Sequence, residues 1–378
     1  MKRLCEILRH PAVWAPLCAG VVIALLAACW QEQPPLRIGY VGGLTGRVAG
    51  LGVAGRDGVI LAVEECNRAG GIGGRRVEVI SGDDQQSTEA VARVVRELVD
   101  ADVSAIVGPM TSAMAEVALP LANEFQVPMI SPTVTANRFS GQDDYFFRMT
   151  VPLSVNAGKL AEYLDRHGVG TMAVAVETTN AAYTEDWLES FRRQFEAAGG
   201  RIVHVERFRS GAEGGFLPLA QRLLESGPGA LLLLSGAMDS ALIAQQVRKL
   251  GSGVPLFATE WANTSDVISF GGKAVEEMRS YVTYNPDSRA ERHLAFLAAF
   301  EKRFGYKPSF AGVLGYEAAG YLLSALQRNP RREGLKQALL DVGSFPGLQG
   351  EIRFDRFGDA RRETYLAVIR QGRFTTID

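Results

Sequence analysis

Short apolar runs alternate with amphipathic stretches along this chain, and the alternation is run through twice. In the first pass, residues 36–41, 76–81, 104–107 and 128–131 read as strands, and 55–69, 87–99 and 112–125 between them read as helices. Apolar residues three and four apart mark the helices: Val59, Ile60 and Val63 in the first, Val91, Val94, Val95 and Leu98 in the second. Ser87 places a hydroxyl where a helix start needs an acceptor, and Gly70-Gly71 ends the first helix. The second pass puts strands at 171–176, 201–208, 230–234 and 255–258, and helices at 184–198, 215–225 and 239–250. Ala230-Leu231-Leu232-Leu233-Leu234 has no polar face, as a strand covered on both sides by helices requires. Such succession predicts parallel sheets joined by right-handed crossovers, and two passes predict two doubly wound, Rossmann-like α/β lobes. Further on, 289–304 and 312–326 read as helices. "GEIRFDRFGDARRETYLAVIRQG" reads as a strand, a turn at Gly358-Asp359 and a second strand.

A chain of 378 residues, 47% of them hydrophobic, suffices for two cores of ordinary size. The formal charge of -2 provides no basic field, so no nucleic-acid partner is expected. The four cysteines (Cys5, Cys18, Cys29, Cys66) form no CxxC pair, and the four histidines (His10, His167, His204, His293) form no HExxH, so neither a metal nor a cofactor is expected. Cys66 sits at helical spacing from Val59 and Val63 and reads as a buried small residue. The glycine-rich segment 42–55 lacks the GK[ST] of a phosphate-binding loop. Gly50 to Gly55 spells GxGxxG, but well beyond the strand end where a dinucleotide site would begin. The segment is either a loop lining a cleft or a flexible connection. No GxSxG and no cysteine–histidine or serine–histidine–aspartate signature is present, so catalysis is not expected.

The first 28 residues are of another kind. Lys2, Arg3 and Arg9 precede an apolar run, 13–28, that is broken by Pro16 and ends in Leu-Leu-Ala-Ala-Cys at Cys29. A basic start, a short apolar stretch and small residues before a cut make a secretory signal. The run is short for a spanning helix, which needs about 20 residues. Leu26 to Cys29 resembles the bacterial lipoprotein box, which implies cleavage before Cys29 and a lipid on its thiol, with 29–35 as a tether.

In open α/β sheets ligands gather beyond the carboxyl ends of strands. After 104–107 comes "GPMTSAM", which sets Thr111 and Ser112 at the start of a helix whose first amides lack partners. Either residue serves as a helix cap, or the group forms part of a site for an anion. After 128–131 comes "PTVTANRF", with Thr133 and Thr135. In the second pass Glu260 ends a strand, and Tyr183 in "NAAYTEDW" starts a helix, either packing against it or meeting a ligand. Asp83-Asp84 reads as a cap for the helix that follows.

Taken in order, "LRIGYVGGLTGRVAGLG", "NRAGGIGGRRVEVISGDDQQ", "IVGPMTSAMAEVALPLANEFQVPMISPTVTANRF" and "GYEAAGYLLSAL" resemble the leucine/isoleucine/valine-binding family of type I periplasmic binding proteins, the receptors of branched-chain amino acid ABC importers. The resemblance covers about residues 36–371. It implies two lobes joined by a hinge of several crossings, expected as 36–150 with 283–342 and 151–282 with 343–378. It implies a carboxylate on Ser112 and Thr135, an ammonium on the carbonyl of Thr133 and on Glu260, and an aromatic contact from Tyr183. Leu51 stands where members often have a tyrosine, and 235–240 lacks an aromatic common in the family. These departures leave the side-chain preference open. The function so implied is that of a monomeric, cofactor-free lipoprotein on the periplasmic or outer face of a bacterial membrane. It would capture a small amino acid of branched-chain type and deliver it to an ABC permease. Another small carboxylate, amide or urea-like solute is the alternative, and a lipid-anchored α/β enzyme is a third.

Overall fold

The computed structural model describes residues 34–211 and 215–377. The first lobe opens with β1 (Leu36–Gly42), α1 (Ala49–Arg68), β2 (Val77–Asp83), α2 (Thr88–Asp100), β3 (Ile106–Val107), α3 (Ser112–Glu124), β4 (Met129–Ser131) and β5 (Phe146–Arg148). Its five strands are all parallel, in the order β2-β1-β3-β4-β5. Ser87 caps α2 as expected, its hydroxyl accepting from the Ala90 amide.

The chain then crosses to a second lobe of α4 (Leu153–Arg166), β6 (Thr171–Glu177), α5 (Ala181–Ala197), β7 (Arg201–Phe208), α6 (Leu217–Glu225), β8 (Ala230–Leu234), α7 (Ala237–Lys249), β9 (Leu256–Ala258), α8 (Ser265–Gly271) and β10 (Arg279–Val282). The wholly apolar β8 lies between β6 and β9 and is buried along its length. The chain returns to the first lobe for α9 (Glu291–Phe304), α10 (Phe310–Arg328), α11 (Leu335–Val342) and a small antiparallel sheet of β11 (Ser344–Pro346), β12 (Glu351–Phe354) and β13 (Ala360–Arg361). It ends as β14 (Tyr365–Arg370) and β15 (Arg373–Ile377), antiparallel strands on the edge of the second sheet, whose order is β15-β14-β10-β9-β8-β6-β7.

Two expectations are corrected here. First, the strand after the Gly358-Asp359 turn is two strands, and residues 343–361 pack on the first lobe rather than the second. Phe354 stacks on Tyr321 of α10 at 4.1 Å, and Ile352 and Ala360 join the first-lobe core. Arg148, fully buried on β5, gives two hydrogen bonds to Asp359 and further ones to Ser140 and the Ala136 carbonyl. The chain therefore crosses between lobes at 149–152, 283–290 and 362–364. Second, α1 starts at Ala49, six residues before the expected 55, and takes in the second half of the glycine-rich segment. Glycine weakens an isolated helix, but tertiary packing overrides that here. A Cβ on Gly58 would lie 2.2 Å from the Gly312 carbonyl oxygen of α10, and one on Gly315 would lie 2.3 Å from that of Gly55. The two helices touch backbone to backbone, which only hydrogen in place of Cβ permits. Cys66 is half-buried against the same core, with its thiol pKa pushed up by burial.

Candidate functional site

Between the lobes lies a small cavity, a common place for a ligand site. The first lobe lines it with Leu51, Met110, Thr111, Ser112, Thr133, Thr135 and Phe310, the second with Asn180, Tyr183, Glu260 and Trp261. All five residues singled out in the sequence — Ser112, Thr133, Thr135, Tyr183 and Glu260 — are thus brought together on one cavity. It sits at the carboxyl ends of β3, β4, β6 and β9, where an open α/β sheet leaves room for a ligand.

Local backbone geometry delivers the hydroxyls. Gly108, at φ +120°, ends β3 with its Cα against the Val41 carbonyl oxygen, which a Cβ would meet at 2.1 Å. The turn swings Met110 to Ser112 into the cavity. Thr111 takes the cap position of α3 with an extended backbone, but its hydroxyl makes no cap bond; it exchanges hydrogen bonds with the Gln86 side chain at 3.1 and 3.2 Å. Ser112 opens α3, buried, and its hydroxyl makes no hydrogen bond among the described residues. The next amide, Ala113, donates to Asn180 Oδ1 of the other lobe at 3.0 Å. Thr133 spends its hydroxyl on the Met110 carbonyl, while the buried Thr135 hydroxyl has no partner. A buried hydroxyl without a partner is costly, so Thr135 is ready to meet a polar ligand group, and Ser112 lines the same cavity.

On the opposite side Glu260 begins a short 3₁₀ turn directly after β9 and is 8% exposed. Its Oε1 accepts from both the amide and the hydroxyl of Thr283, each at 2.7 Å. Its Oε2 receives no hydrogen bond among the described residues. Burial pushes the Glu260 pKa up, while the Thr283 bonds and the charge of Arg362 pull against that. Tyr183 is buried and meets Trp261 edge to face, with ring centroids 5.9 Å apart. Burial drives its phenol well above the usual range, so it stays neutral. Leu51, Met110, Trp261 and Phe310 make an apolar wall, and among the described residues no lysine, arginine or histidine lines the cavity. The arrangement provides one acidic end, one end of neutral donors, and an apolar side.

The lobes are drawn together around it. Arg47, on the loop after β1, bonds Ser210 and Asp239 of the second lobe. Asn137 bonds Asp186 and Ser190. The Asp83-Asp84 pair does not cap α2. Asp83 accepts from the Leu44 and Gln85 amides and the Thr45 hydroxyl, and so fixes the loop that carries Arg47. Asp84, buried beneath, accepts from the Gln86 amide, and burial lifts its pKa to about 6.

Sequence reasoning missed Asn180, Trp261, Phe310 and Met110. Asn180 and Phe310 sit at helix starts earlier than the expected 184 and 312; the cap positions hold Asn180 and Ser309, residues of capping type whose side chains make no cap hydrogen bond. Trp261 adjoins Glu260 and was legible only once Glu260 was placed.

The family model described as "Periplasmic binding protein" matches residues 35–373. The chain belongs to the periplasmic binding protein family. It is 23% identical over 347 residues to the leucine-, isoleucine-, valine-, threonine- and alanine-binding protein of Pseudomonas aeruginosa, covering 91% of this chain and 92% of that one. Among solved structures it is similar to the branched-chain amino acid transporter substrate-binding protein LivJ of Streptococcus pneumoniae in complex with isoleucine (TM-score 0.84, 24% identity, 91% and 99% of the two chains). It is also similar to a solute-binding protein of R. palustris in complex with benzoate (TM-score 0.83, 18% identity, 91% and 95%). These likenesses show the type I, two-lobed fold. The family is one of solute-binding proteins rather than enzymes, and the resemblance to the receptors of branched-chain amino acid transporters holds. Membership implies an extracytoplasmic location. Among the described residues no helix is long and apolar enough to cross a membrane. Cys29 and residues 1–28, expected to be a signal, lie outside the described residues.

Proposed function

We propose that this periplasmic binding protein captures a small α-amino acid with an uncharged, branched-chain-sized side chain between its lobes and delivers it to an ABC permease. The observation that carries this reading is the pairing of Glu260, with one carboxylate oxygen unclaimed, against the unpartnered hydroxyls of Ser112 and Thr135 in a cavity without a basic side chain. A zwitterion needs both ends. Burying either charge alone is costly, and here the ammonium has a carboxylate and the carboxylate has hydroxyls and the first amide of α3. The Thr133 carbonyl is a second acceptor for the ammonium, Tyr183 closes the cavity beside Trp261, and Leu51, Met110 and Phe310 receive an apolar side chain. A ligand held by both lobes stabilises their closed arrangement. The relatives from Pseudomonas aeruginosa and Streptococcus pneumoniae support the ligand class; the benzoate complex supports a carboxylate without an amine. Glu260 favours the former, since a second anion beside it meets like charge.

Calorimetry on a soluble form beginning after Cys29 tests this with L-leucine, L-alanine, 4-methylpentanoate, benzoate and a simple amide. The expected result is binding of leucine and none of 4-methylpentanoate, which is leucine without its amine. Binding of benzoate or the amide alone overturns the amino-acid reading.

Cys29, after cleavage of residues 1–28, is proposed to carry the lipid that holds a monomeric receptor at the membrane. The Leu-Ala-Ala-Cys run at the end of the apolar segment supports this. Cys29→Ser is expected to move the protein to the soluble fraction or leave the precursor uncut. A processed variant that still sediments with membranes excludes the anchor.

A further inference from the structure

We infer that Thr283 is a positioning residue that joins the ligand's ammonium partner to the hinge. The inference rests on the reading that Glu260 receives an ammonium group. Glu260 stands at the end of β9, on a three-residue turn that takes no part in the lobe connections. The only hydrogen bonds to its carboxylate among the described residues come from Thr283, the first residue beyond β10 and the opening of the second connection. Both donors of Thr283, amide and hydroxyl, go to the same oxygen, which leaves the other oxygen of Glu260 to the cavity.

The remaining connections gather at the same point. The Thr283 hydroxyl lies 3.5 Å from that of Thr150 on the first connection. Arg362, on the third, donates to the Met149 carbonyl beside Thr150 and to the buried Glu317 of α10. Glu317 in turn accepts from the Leu348 amide. The charged or titratable groups facing Glu260 are therefore Arg362, whose charge favours the carboxylate, and the neutral phenol of Tyr183, with Glu317 behind Arg362. The hydroxyl of Thr283 gives its one proton to Glu260 at 2.7 Å and accepts from the Thr150 hydroxyl at 3.5 Å. A change of backbone angle at the second connection shifts that donor, and with it the carboxylate that meets the ligand. Ligand charge and lobe movement thus act on one hydrogen bond, and differential bonding between open and closed states is what a ligand needs to drive closure.

Thr283→Val keeps the amide and the shape and removes the hydroxyl. L-Leucine affinity is expected to fall about tenfold at pH 7.5, as for loss of one hydrogen bond to a charged group. The loss should widen as pH falls from 8 to 5.5, because a carboxylate with one donor fewer is protonated at higher pH. Thr283→Ser should restore both affinity and pH profile. In parallel, carbon-13 NMR of glutamate-labelled unliganded protein, with Glu260→Gln to assign the signal, should show Glu260 titrating at higher pH in Thr283→Val than in wild type. If wild type binds no amino acid, the reading of the ligand fails while the carboxyl titration still decides on Thr283. An unchanged titration overturns the inference, as does a pH-independent loss of affinity that serine does not restore.

Discussion

Replacing Glu260 by glutamine is expected to weaken amino-acid binding roughly tenfold to a hundredfold, the loss of a hydrogen bond to a charged group at about 1.4 kcal/mol per factor of ten. The substitution preserves volume, so the apolar wall is undisturbed. Its effect is electrostatic and directional. The glutamine oxygen will take the place of Oε1, because the amide and hydroxyl of Thr283 both donate there. The glutamine nitrogen then replaces the unclaimed oxygen and turns N–H groups toward the ligand's ammonium, donor against donor. With no other acidic side chain lining the cavity, the ammonium keeps only the Thr133 carbonyl. A ligand without an amine responds in the opposite sense: its carboxylate no longer shares the cavity with another, and its affinity stays the same or rises. Calorimetry of leucine and benzoate on both proteins separates the cases. Leucine binding that is indifferent to the change removes Glu260 from recognition.

Asp359→Ala is expected to cost about 3–5 kcal/mol of folding stability, the usual penalty for stranding one member of a buried ion pair. Arg148 is fully buried, and Asp359 accepts two of its guanidinium bonds and also the Gly141 amide. Without the carboxylate the guanidinium has only the Ser140 hydroxyl and the Ala136 carbonyl. The cost lies in the charge left behind, so Arg148→Met on the same background should recover part of it. Urea unfolding monitored by circular dichroism measures both variants. A loss under about 1 kcal/mol for Asp359→Ala means that water reaches Arg148 and that the return segment is not pinned as described.

The strands and most helices were legible because their burial leaves a periodic record. β8 could only be a covered strand, and the α2 face Val91, Val94, Val95, Leu98 could only be helical. Ser112 and Thr135 were legible for a different reason: parallel sheets present ligands at strand ends, so hydroxyls there stand out. Glu260 and Tyr183 stand out by the same strand-end rule in the second pass, and the resemblance to a family adds the ammonium and aromatic roles. What escaped had causes outside the local sequence. The start of α1 was hidden because its glycines answer to α10, more than 250 residues away. Residues 344–361 carry the alternation of a strand that might pair anywhere; Tyr321 and Arg148 decide where. Short elements such as β5, an edge, and β10, held between β14 and β9, are completed by their neighbours and have little pattern of their own.

The contact of α1 with α10 bears on how such a receptor changes its diet over evolutionary time. Leu51 near the tip of one helix and Phe310 at the tip of the other both face the cavity, and just behind them the helices meet carbonyl against Cα. Two rods already in backbone contact cannot be pressed closer, and parting them opens a void that a packed interior resists. That wall of the cavity therefore has a fixed frame. New ligand shapes are accommodated by exchanging the side chains at the two tips, one residue at a time.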